Sequence, residues 1–246
     1  MCIRDSDGSV IAYGVSGGSV HAYTWSSSGF GTKYSDPSSD SFNDVWSIRW
    51  TPNGDYVLVG GTIASAGQPY LAAYAWTNGS GFGTRYTPGT GTTDRTTGIH
   101  FHPDGDYVAV SQAGSSVFLR TYPWSSSSQF GSNITAPSGG WSDDTEQVQF
   151  TAAGNDVAVG GAGSPYIAVW PWNGSGYGTK YSNPSSLPSG FVYGLGIAPD
   201  DSAIAVSSTF GDKMQAYPFT SGTGLGTKYS SPATLPAGST RKAAFA

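Results

Sequence analysis

The chain has 246 residues, a formal net charge of −5 and a pI near 4.9, and only 11% of its residues are charged. So few basic residues exclude a nucleic-acid-binding protein, because phosphate binding requires clustered Lys or Arg. Glycine accounts for 36 residues and aromatic residues for 14%, whereas Glu occurs only as Glu146. This composition disfavours helices and predicts an all-β protein.

The ends of the chain carry little functional information. The opening "MCIRDS" does not fit the pattern that follows and resembles a translated sequencing-adaptor remnant. We therefore expect residues 1–5 to be non-native, residues 6–246 to form one repeat domain, and the chain to be a fragment of a longer array. No signal peptide is evident, no apolar run reaches the ~18 residues of a membrane span, and a lone Cys2 excludes an internal disulfide.

A repeat of about 48 residues runs through the chain. A glycine of the phrase "SGFGT" or its variants recurs at spacings of 52, 48, 47 and 48, and a large aromatic residue precedes it each time. The glycines are Gly31, Gly83, Gly131, Gly178 and Gly226; the aromatic residues are Trp25, Trp76, Trp124, Trp172 and Phe219. The glycines form one column of equivalent positions and the aromatic residues form a second. Because both columns have nearly the same spacing over five copies, they indicate a repeat architecture.

Each copy contains four predicted strands, here called A to D in chain order. Strand A alternates, as in Ile48/Trp50 and Ile99/Phe101, which is the period of a strand. A turn such as "TPNGDY" leads to strand B, and strand C then carries the recurring aromatic residue. The glycine-rich phrase predicts a C–D turn and not a phosphate loop, because no helix can follow it. Strand D is short and carries Lys or Arg, as is typical of an edge strand.

Three prolines lie inside predicted C strands, at Pro123, Pro171 and Pro218. Proline cannot donate to the hydrogen-bond ladder of a sheet. We expect these residues at the end of the paired region or at a bulge, with the missing donor facing outward.

Five four-stranded antiparallel units of this length predict a β-propeller. The layout A–"PDG"–B–C–D resembles WD40-type repeats, and the "SGFGTKYSxP" phrase resembles WD40-like arrays of bacterial and phage proteins. The Gly-His and Trp-Asp dipeptides of eukaryotic WD40 blades are missing, so their hydrogen-bond network is not expected. The predicted blades are residues 239–246 with 6–44, then 45–94, 95–144, 145–190 and 191–238, so that C-terminal residues would supply strand A of the first blade.

The best candidates for a binding face lie near the D-to-A loops, which precede the A strands. Trp46 and Trp141 fall outside the regular aromatic column, so they are candidates for exposed contacts, although packing is the favoured explanation of both. Carboxylates of three adjacent repeats share these loops and could attract a cation or a basic partner, although turn capping would also explain them. The carboxylates are Asp40, Asp44, Asp94, Asp143 and Asp144.

Other constellations are weak. His100 and His102 are two residues apart on a strand and could share a metal, but no third ligand recurs, so we expect ordinary polar positions and no metal or cofactor. No catalytic constellation stands out. The sequence therefore predicts a non-enzymatic propeller that binds a protein or glycan, in a phage particle or at a bacterial surface. The alternative is a carbohydrate-binding or hydrolytic propeller of the glycosidase or lactonase type, which would gather polar side chains from several blades around the central channel.

Overall fold

A computed structural model describes residues 2–4 (backbone only), 7–38, 42–64, 69–89, 91–114, 117–138, 141, 143–238 and 240–245. Within these ranges the chain forms nineteen strands and no helix. They are β1 (Cys2–Arg4), β2 (Val10–Gly14), β3 (Val20–Ser26), β4 (Gly29–Lys33), β5 (Phe42–Trp50), β6 (Tyr56–Ile63), β7 (Leu71–Thr77), β8 (Gly81–Tyr86), β9 (Arg95–Phe101), β10 (Tyr107–Ala113), β11 (Leu119–Ser125), β12 (Gln129–Phe130), β13 (Thr145–Phe150), β14 (Asp156–Gly161), β15 (Ile167–Pro171), β16 (Val192–Ile197), β17 (Ala203–Ser208), β18 (Met214–Thr220) and β19 (Gly224–Leu225).

The strands form five antiparallel sheets in which neighbours along the chain pair with one another. The sheets are β1–β4, β5–β8, β9–β12, β13–β15 and β16–β19. The predicted all-β class and the repeated meander are thus confirmed. The chain falls into two compact units: residues 1–108 with 122–133, and residues 109–121 with 134–246. The division passes through strands β10 and β11 of the third sheet.

Each unit contains its own apolar core. In the first unit, Ile48 and Trp50 of strand A pack with Tyr74 and Trp76 of strand C. In the second unit, Leu195 and Ile197 of strand A lie in a cluster with strand C residues such as Tyr217. The recurring aromatic residues are buried from the second copy onward, so this column belongs to the core there.

The A–B turns adopt the predicted conformation. Four of these turns begin at a Thr, a His or an Ala. The third residue after that first residue has a positive φ in each of them, at Gly54, Gly105, Gly154 and Asp201. Its backbone N–H donates to the carbonyl of that first residue, as from Gly54 to Thr51 at 2.9 Å. In the last of these turns the residue with positive φ is Asp201 and not a glycine. Its carboxylate accepts hydrogen bonds from the N–H groups of Ala152 and Ala153 at 2.7 and 2.8 Å.

The prolines of strand C explain why strand D varies in length. The carbonyl oxygens of Pro123, Pro171 and Pro218 each accept an N–H from the following glycine-rich segment. Because the N and O of one strand residue point to the same side, the position that lacks a donor faces strand D. Strand D has five residues in the first sheet and six in the second, and neither of these sheets has the proline. In the sheets with the proline, strand D has two residues in the third and fifth sheets. In the fourth sheet it is reduced to a bridge between Trp172 and Tyr177. The prediction of four strands is therefore wrong for the fourth sheet.

The predicted origin of the first strand A is also wrong. Residues Cys2–Arg4 pair with Tyr13–Ile11 of β2 and occupy that place. Residues 240–245 form no strand. They lie instead against the fifth sheet, where a Cβ on Gly194 would come within 2.6 Å of the Cα of Lys242. The hydroxyl of Thr240 donates to the Lys213 carbonyl at 2.6 Å. These local contacts hold the C-terminal segment beside the last sheet.

Candidate functional site

A β-bulge near the start of strand A sets the direction of one side chain in three of the sheets. The register of strand A against strand B shifts between Val45 and Ser47, between Thr145 and Gln147, and between Val192 and Gly194. An extra residue in a bulge lies outside the ladder, and its side chain is redirected. The extra residues are Trp46, Glu146 and Tyr193.

Trp46 is the exposed member of this set and lies in the first unit. Its neighbours Val45 and Ser47 are buried, whereas Trp46 is 40% exposed. The guanidinium of Arg95, at the start of β9, lies 4.6 Å from the centroid of the Trp46 ring. Tyr193 in the second unit has a matching contact with Arg241 at 4.7 Å. The bulge thus presents an aromatic ring stacked on an arginine of the next segment, and at Trp46 much of that ring remains in contact with solvent.

The carboxylates of the first unit hold the loops around Trp46 in place. Asp44 accepts a hydrogen bond from the Ser16 hydroxyl at 2.5 Å, and its backbone N–H donates to the hydroxyl of Thr62 at 3.0 Å. Asp94 accepts from the N–H of Arg95 at 2.7 Å. The Asp94 contact agrees with turn capping, whereas Asp44 joins segments that are distant in sequence. Asp40, the remaining carboxylate predicted for this region, lies outside the described residues.

In the second unit, the residues proposed for a binding face contact one another, and the tryptophan among them is buried. Trp141 is only 6% exposed, and its indole N–H donates to the carbonyl of Asp143 at 2.9 Å. The carboxylate of Asp143 accepts from the N–H of Asp144, and the carboxylate of Asp144 accepts from the N–H of Gly114 at 2.5 Å. The hypothesis that Trp141 provides an exposed contact is therefore wrong, because its ring is packed beneath the loop that the two carboxylates stabilise.

The most unusual polar feature of the first unit is formed by Arg49 and His100, of which the sequence analysis treated His100 as an ordinary polar position. Arg49 on β5 and His100 on β9 each lie between two buried apolar residues of strand A and are both partly buried. Burial, with a further contribution from the positive charge of Arg49, lowers the pKa of His100 from 6.5 to about 3. Burial also lowers the pKa of Arg49. A sequence signal existed, since both replace apolar or neutral residues in the first strand of a sheet, but only the structure shows their proximity.

The guanidinium of Arg49 stands out because nothing in the described part of the chain compensates its charge. Burial is the sole cause of its pKa shift, and no carboxylate of the described residues forms an ion pair with it. A buried cation is costly unless an anion pairs with it. By contrast, Lys242 in the second unit has Glu146 nearby, which opposes the effect of burial on the pKa of the lysine. Arg49 and His100 thus place a charged guanidinium and a neutral imidazole near each other, and both are hydrogen-bonding groups.

Two further features of the described residues are negative. No group of three or more His, Cys, Asp or Glu side chains there is arranged to hold a metal ion, and His102 lies instead beside its neighbour Asp104 at 3.8 Å. No helix in the described ranges has the length and apolar character that crossing a bilayer requires.

A polar cleft of about 280 Å³ lies between the A–B turns of the second and third sheets. The Asn53 amide at its edge already donates to Asp55 and Ser126.

Comparison with known proteins yields fold similarity without a family. No protein-family model matches the chain, and no curated protein matches it. Among solved structures, the chain is similar to a crystal structure described as a "putative 6-phosphogluconolactonase" from Bacteroides uniformis, with 11% identity over 91% of this chain and 68% of that one, and a TM-score of 0.69. Together with the five repeated antiparallel sheets, this similarity establishes the β-propeller fold class.

Proposed function

We propose that this chain is a non-enzymatic β-propeller that binds a small anionic carbohydrate derivative, such as a sugar acid or a sugar phosphate. The observation that carries the proposal is the partly buried guanidinium of Arg49, which no carboxylate in the described residues neutralises. An anionic ligand would supply the missing counter-charge, and a guanidinium binds carboxylate and phosphate through two parallel hydrogen bonds.

The exposed indole of Trp46 supports the carbohydrate part of the proposal. Trp46 and Arg49 are three residues apart on β5, or about 10 Å along a strand. An aromatic ring whose face is accessible stacks on the apolar face of a sugar ring, while the charged end of the same ligand reaches the guanidinium. Arg95, whose guanidinium lies over the Trp46 ring, and Arg49 provide positive charge at both ends of this stretch.

The histidine argues for binding and against hydrolysis. A general base works best when its pKa lies near the working pH. With a pKa of about 3, the His100 imidazole accepts a proton from water too weakly to activate it at neutral pH. The same value keeps the ring neutral, so it can donate or accept a hydrogen bond without adding charge. Lactone hydrolysis remains the alternative suggested by the name of the structurally similar protein.

Calorimetric titration tests the proposal. We expect 6-phosphogluconate or gluconate to bind and the neutral polyol sorbitol to bind at least tenfold more weakly, because only the anions compensate Arg49. Arg49→Gln should abolish the preference for the anions. Arg85→Gln, which removes a positive charge from the outer strand β8 of the same sheet, is the matched control and should bind as the wild type does.

Two outcomes would contradict the proposal. Equal affinity for sorbitol and gluconate would contradict an anion site at Arg49. So would a loss of affinity in Arg85→Gln as large as that in Arg49→Gln. Hydrolysis of a sugar lactone above the buffer rate, lost in His100→Asn, would instead establish the hydrolytic alternative.

A second candidate function is attachment of a macromolecule to the Trp46 surface, as the sequence predicts. The observation that favours it is the 40% exposure of the Trp46 side chain beside Arg95. A glycan array distinguishes the two: retention of a polymeric glycan that Trp46→Ala loses and Arg49→Gln keeps would favour this second function, and no retention of any glycan would count against a glycan as the macromolecule.

A further inference from the structure

The polar cleft between the second and third sheets lies wholly within the first unit, and a glycine keeps it open. In the corresponding place of the second unit, the carboxylate of Asp201 reaches from the fifth sheet to the N–H groups of Ala152 and Ala153. Gly105 occupies the turn position of Asp201, also with a positive φ, and has no side chain that could cross the gap. The second unit thus fills this space with a carboxylate of its own, and the first unit leaves it open.

Hydrogen bonds within the protein fix the walls of the cleft. The Asn53 amide donates to the carboxylate of Asp55 at 2.6 Å and to the hydroxyl of Ser126 at 3.3 Å. The Ser126 carbonyl accepts from the hydroxyl of Tyr56 at 2.8 Å and from the amide of Gln129 at 2.9 Å. The A–B turn of the second sheet and the C–D turn of the third are thereby joined, so the cleft is formed before any ligand enters it.

The polar groups of the cleft that remain open to a ligand are the indole N–H of Trp124 and the carboxylates of Asp104 and Asp106. The Trp124 side chain is only 7% exposed, and its N–H has no acceptor in the part of the chain that the structure describes. By contrast, the N–H of Trp76 at the same position of the second sheet donates to Asn78 at 2.9 Å. Because an unpaired donor in a buried side chain is costly, the Trp124 N–H favours a ligand that brings an acceptor into the cleft.

The two carboxylates restrict the ligand further. The nearest basic group, Nδ1 of His102, lies 3.8 Å from the Asp104 carboxylate but already accepts the backbone N–H of Asp104 at 3.3 Å. The carboxylates of Asp104 and Asp106 therefore offer acceptors and repel anions. The ligand must donate to these carboxylates and accept from the indole. A hydroxyl group does both, whereas an ammonium or guanidinium group can only donate.

We propose that this cleft binds a single neutral sugar residue, whose hydroxyl groups donate to Asp104 and Asp106 and accept from the indole N–H of Trp124. The volume of about 280 Å³ is at the lower end for a ligand pocket and suits one sugar ring. The site is separate from the proposed anion site, because the cleft begins at Thr51, just beyond the end of β5, whereas Trp46 lies near the start of that strand. The two proposals therefore stand or fall independently.

Two-dimensional proton–nitrogen NMR spectra test this proposal directly at the indole N–H. Trp124→Phe identifies the Trp124 indole peak, which is absent from the spectrum of this variant. The probes are the methyl glycosides of glucose, galactose and mannose, and at least one of them should shift this peak in a saturable manner. Gluconate is repelled by the carboxylates and ethylammonium cannot accept from the indole, so both should require roughly tenfold higher concentrations for the same shift.

Two variants of the cleft and one matched control locate the binding. Gly105→Asp should abolish the response, because its carboxylate would fill the cleft as that of Asp201 does in the second unit, and Asp tolerates a positive φ. Asp104→Asn should weaken binding roughly tenfold, since it replaces a charged acceptor by a neutral one. Asp200→Asn changes the same turn position in the fifth sheet and should bind as the wild type does.

A dispersed amide spectrum shows that each variant folds; if Gly105→Asp does not fold, the comparison of Asp104→Asn with Asp200→Asn decides. An indole peak of Trp124 that none of the glycosides shifts would overturn the proposal. So would a response that persists in folded Gly105→Asp, or a loss in Asp200→Asn as large as that in Asp104→Asn. Tighter binding of ethylammonium than of every glycoside would show that the cleft is a site for organic cations and not for a sugar.

Discussion

His100 and Arg49 illustrate how burial and charge act together on a single residue. An ordinary histidine gains a proton near pH 6.5, but in this chain desolvation and the neighbouring guanidinium hold the pKa of His100 near 3. The imidazole therefore stays neutral from mildly acidic to alkaline pH. Affinity for an anion at this pair should accordingly show no step near pH 6.5.

The lowered pKa of His100 predicts a loss of stability on mild acidification. Below pH 6.5 the His100 side chain binds a proton in the unfolded chain. In the folded chain it does so only near pH 3. The free energy of unfolding should therefore fall by about 1 kcal/mol per pH unit as the pH drops from 6.5. Urea unfolding at pH 7.5 and 5.0 should show a smaller pH effect in His100→Asn than in the wild type. An equal loss in both proteins would contradict this assignment; Asp212, whose pKa the Lys228 hydrogen bond lowers from 3.8, acts only at lower pH.

Two tryptophans of the first unit should respond very differently to truncation. Trp124 is 7% exposed and meets Tyr56, Phe101 and Phe130 edge-on at 5.0–5.6 Å, so Trp124→Ala should cost ~3–5 kcal/mol of unfolding free energy. Trp46→Ala removes a ring that is 40% exposed and should cost about 1 kcal/mol or less, while weakening ligand binding. Equilibrium urea unfolding compares them. Similar losses for the two variants would show that Trp46 is a core residue.

At the scale of strands and turns, sequence periodicity predicted the meander but not its irregularities. Alternating apolar residues and turn glycines located strands A, B and C, because both patterns depend on local backbone geometry. The bulge that turns Trp46 outward has no such pattern, since Val45, Trp46 and Ser47 fit a regular strand equally well. Trp141 was misplaced for a related reason: its burial depends on packing against Phe118, which is distant in sequence. The missing strand D of the fourth sheet was predictable in part from Pro171.

The close approach of adjacent sheets makes particular glycines of strand B intolerant of a side chain. A Cβ on Gly60 of β6 would lie 2.2 Å from Cγ2 of Thr96 on β9. Gly60→Ala must push the second and third sheets apart locally and should destabilise the protein by ~1–3 kcal/mol. Gly89→Ala is the matched control, because its Cβ would meet no atom within 4 Å. Thermal unfolding measures both; an unchanged midpoint in Gly60→Ala would mean that the sheets separate without cost.

Over the whole molecule, the net charge is the same in every copy of the chain and opposes contact between copies. The chain carries a formal charge of −5 at neutral pH and a pI near 4.9. Like charges keep copies apart, and salt screens that repulsion over ~10 Å at 0.1 M. Lowering the pH towards the pI and adding salt therefore both weaken the repulsion between copies.

Solubility should fall as this repulsion is reduced. We expect the solubility of the wild type to be lower at about pH 5 than at pH 8, because the net charge that keeps copies apart is almost neutralised near the pI of 4.9. Precipitation by polyethylene glycol at the two pH values measures the solubility. Equal solubility at both pH values would show that net charge does not control the association of this protein.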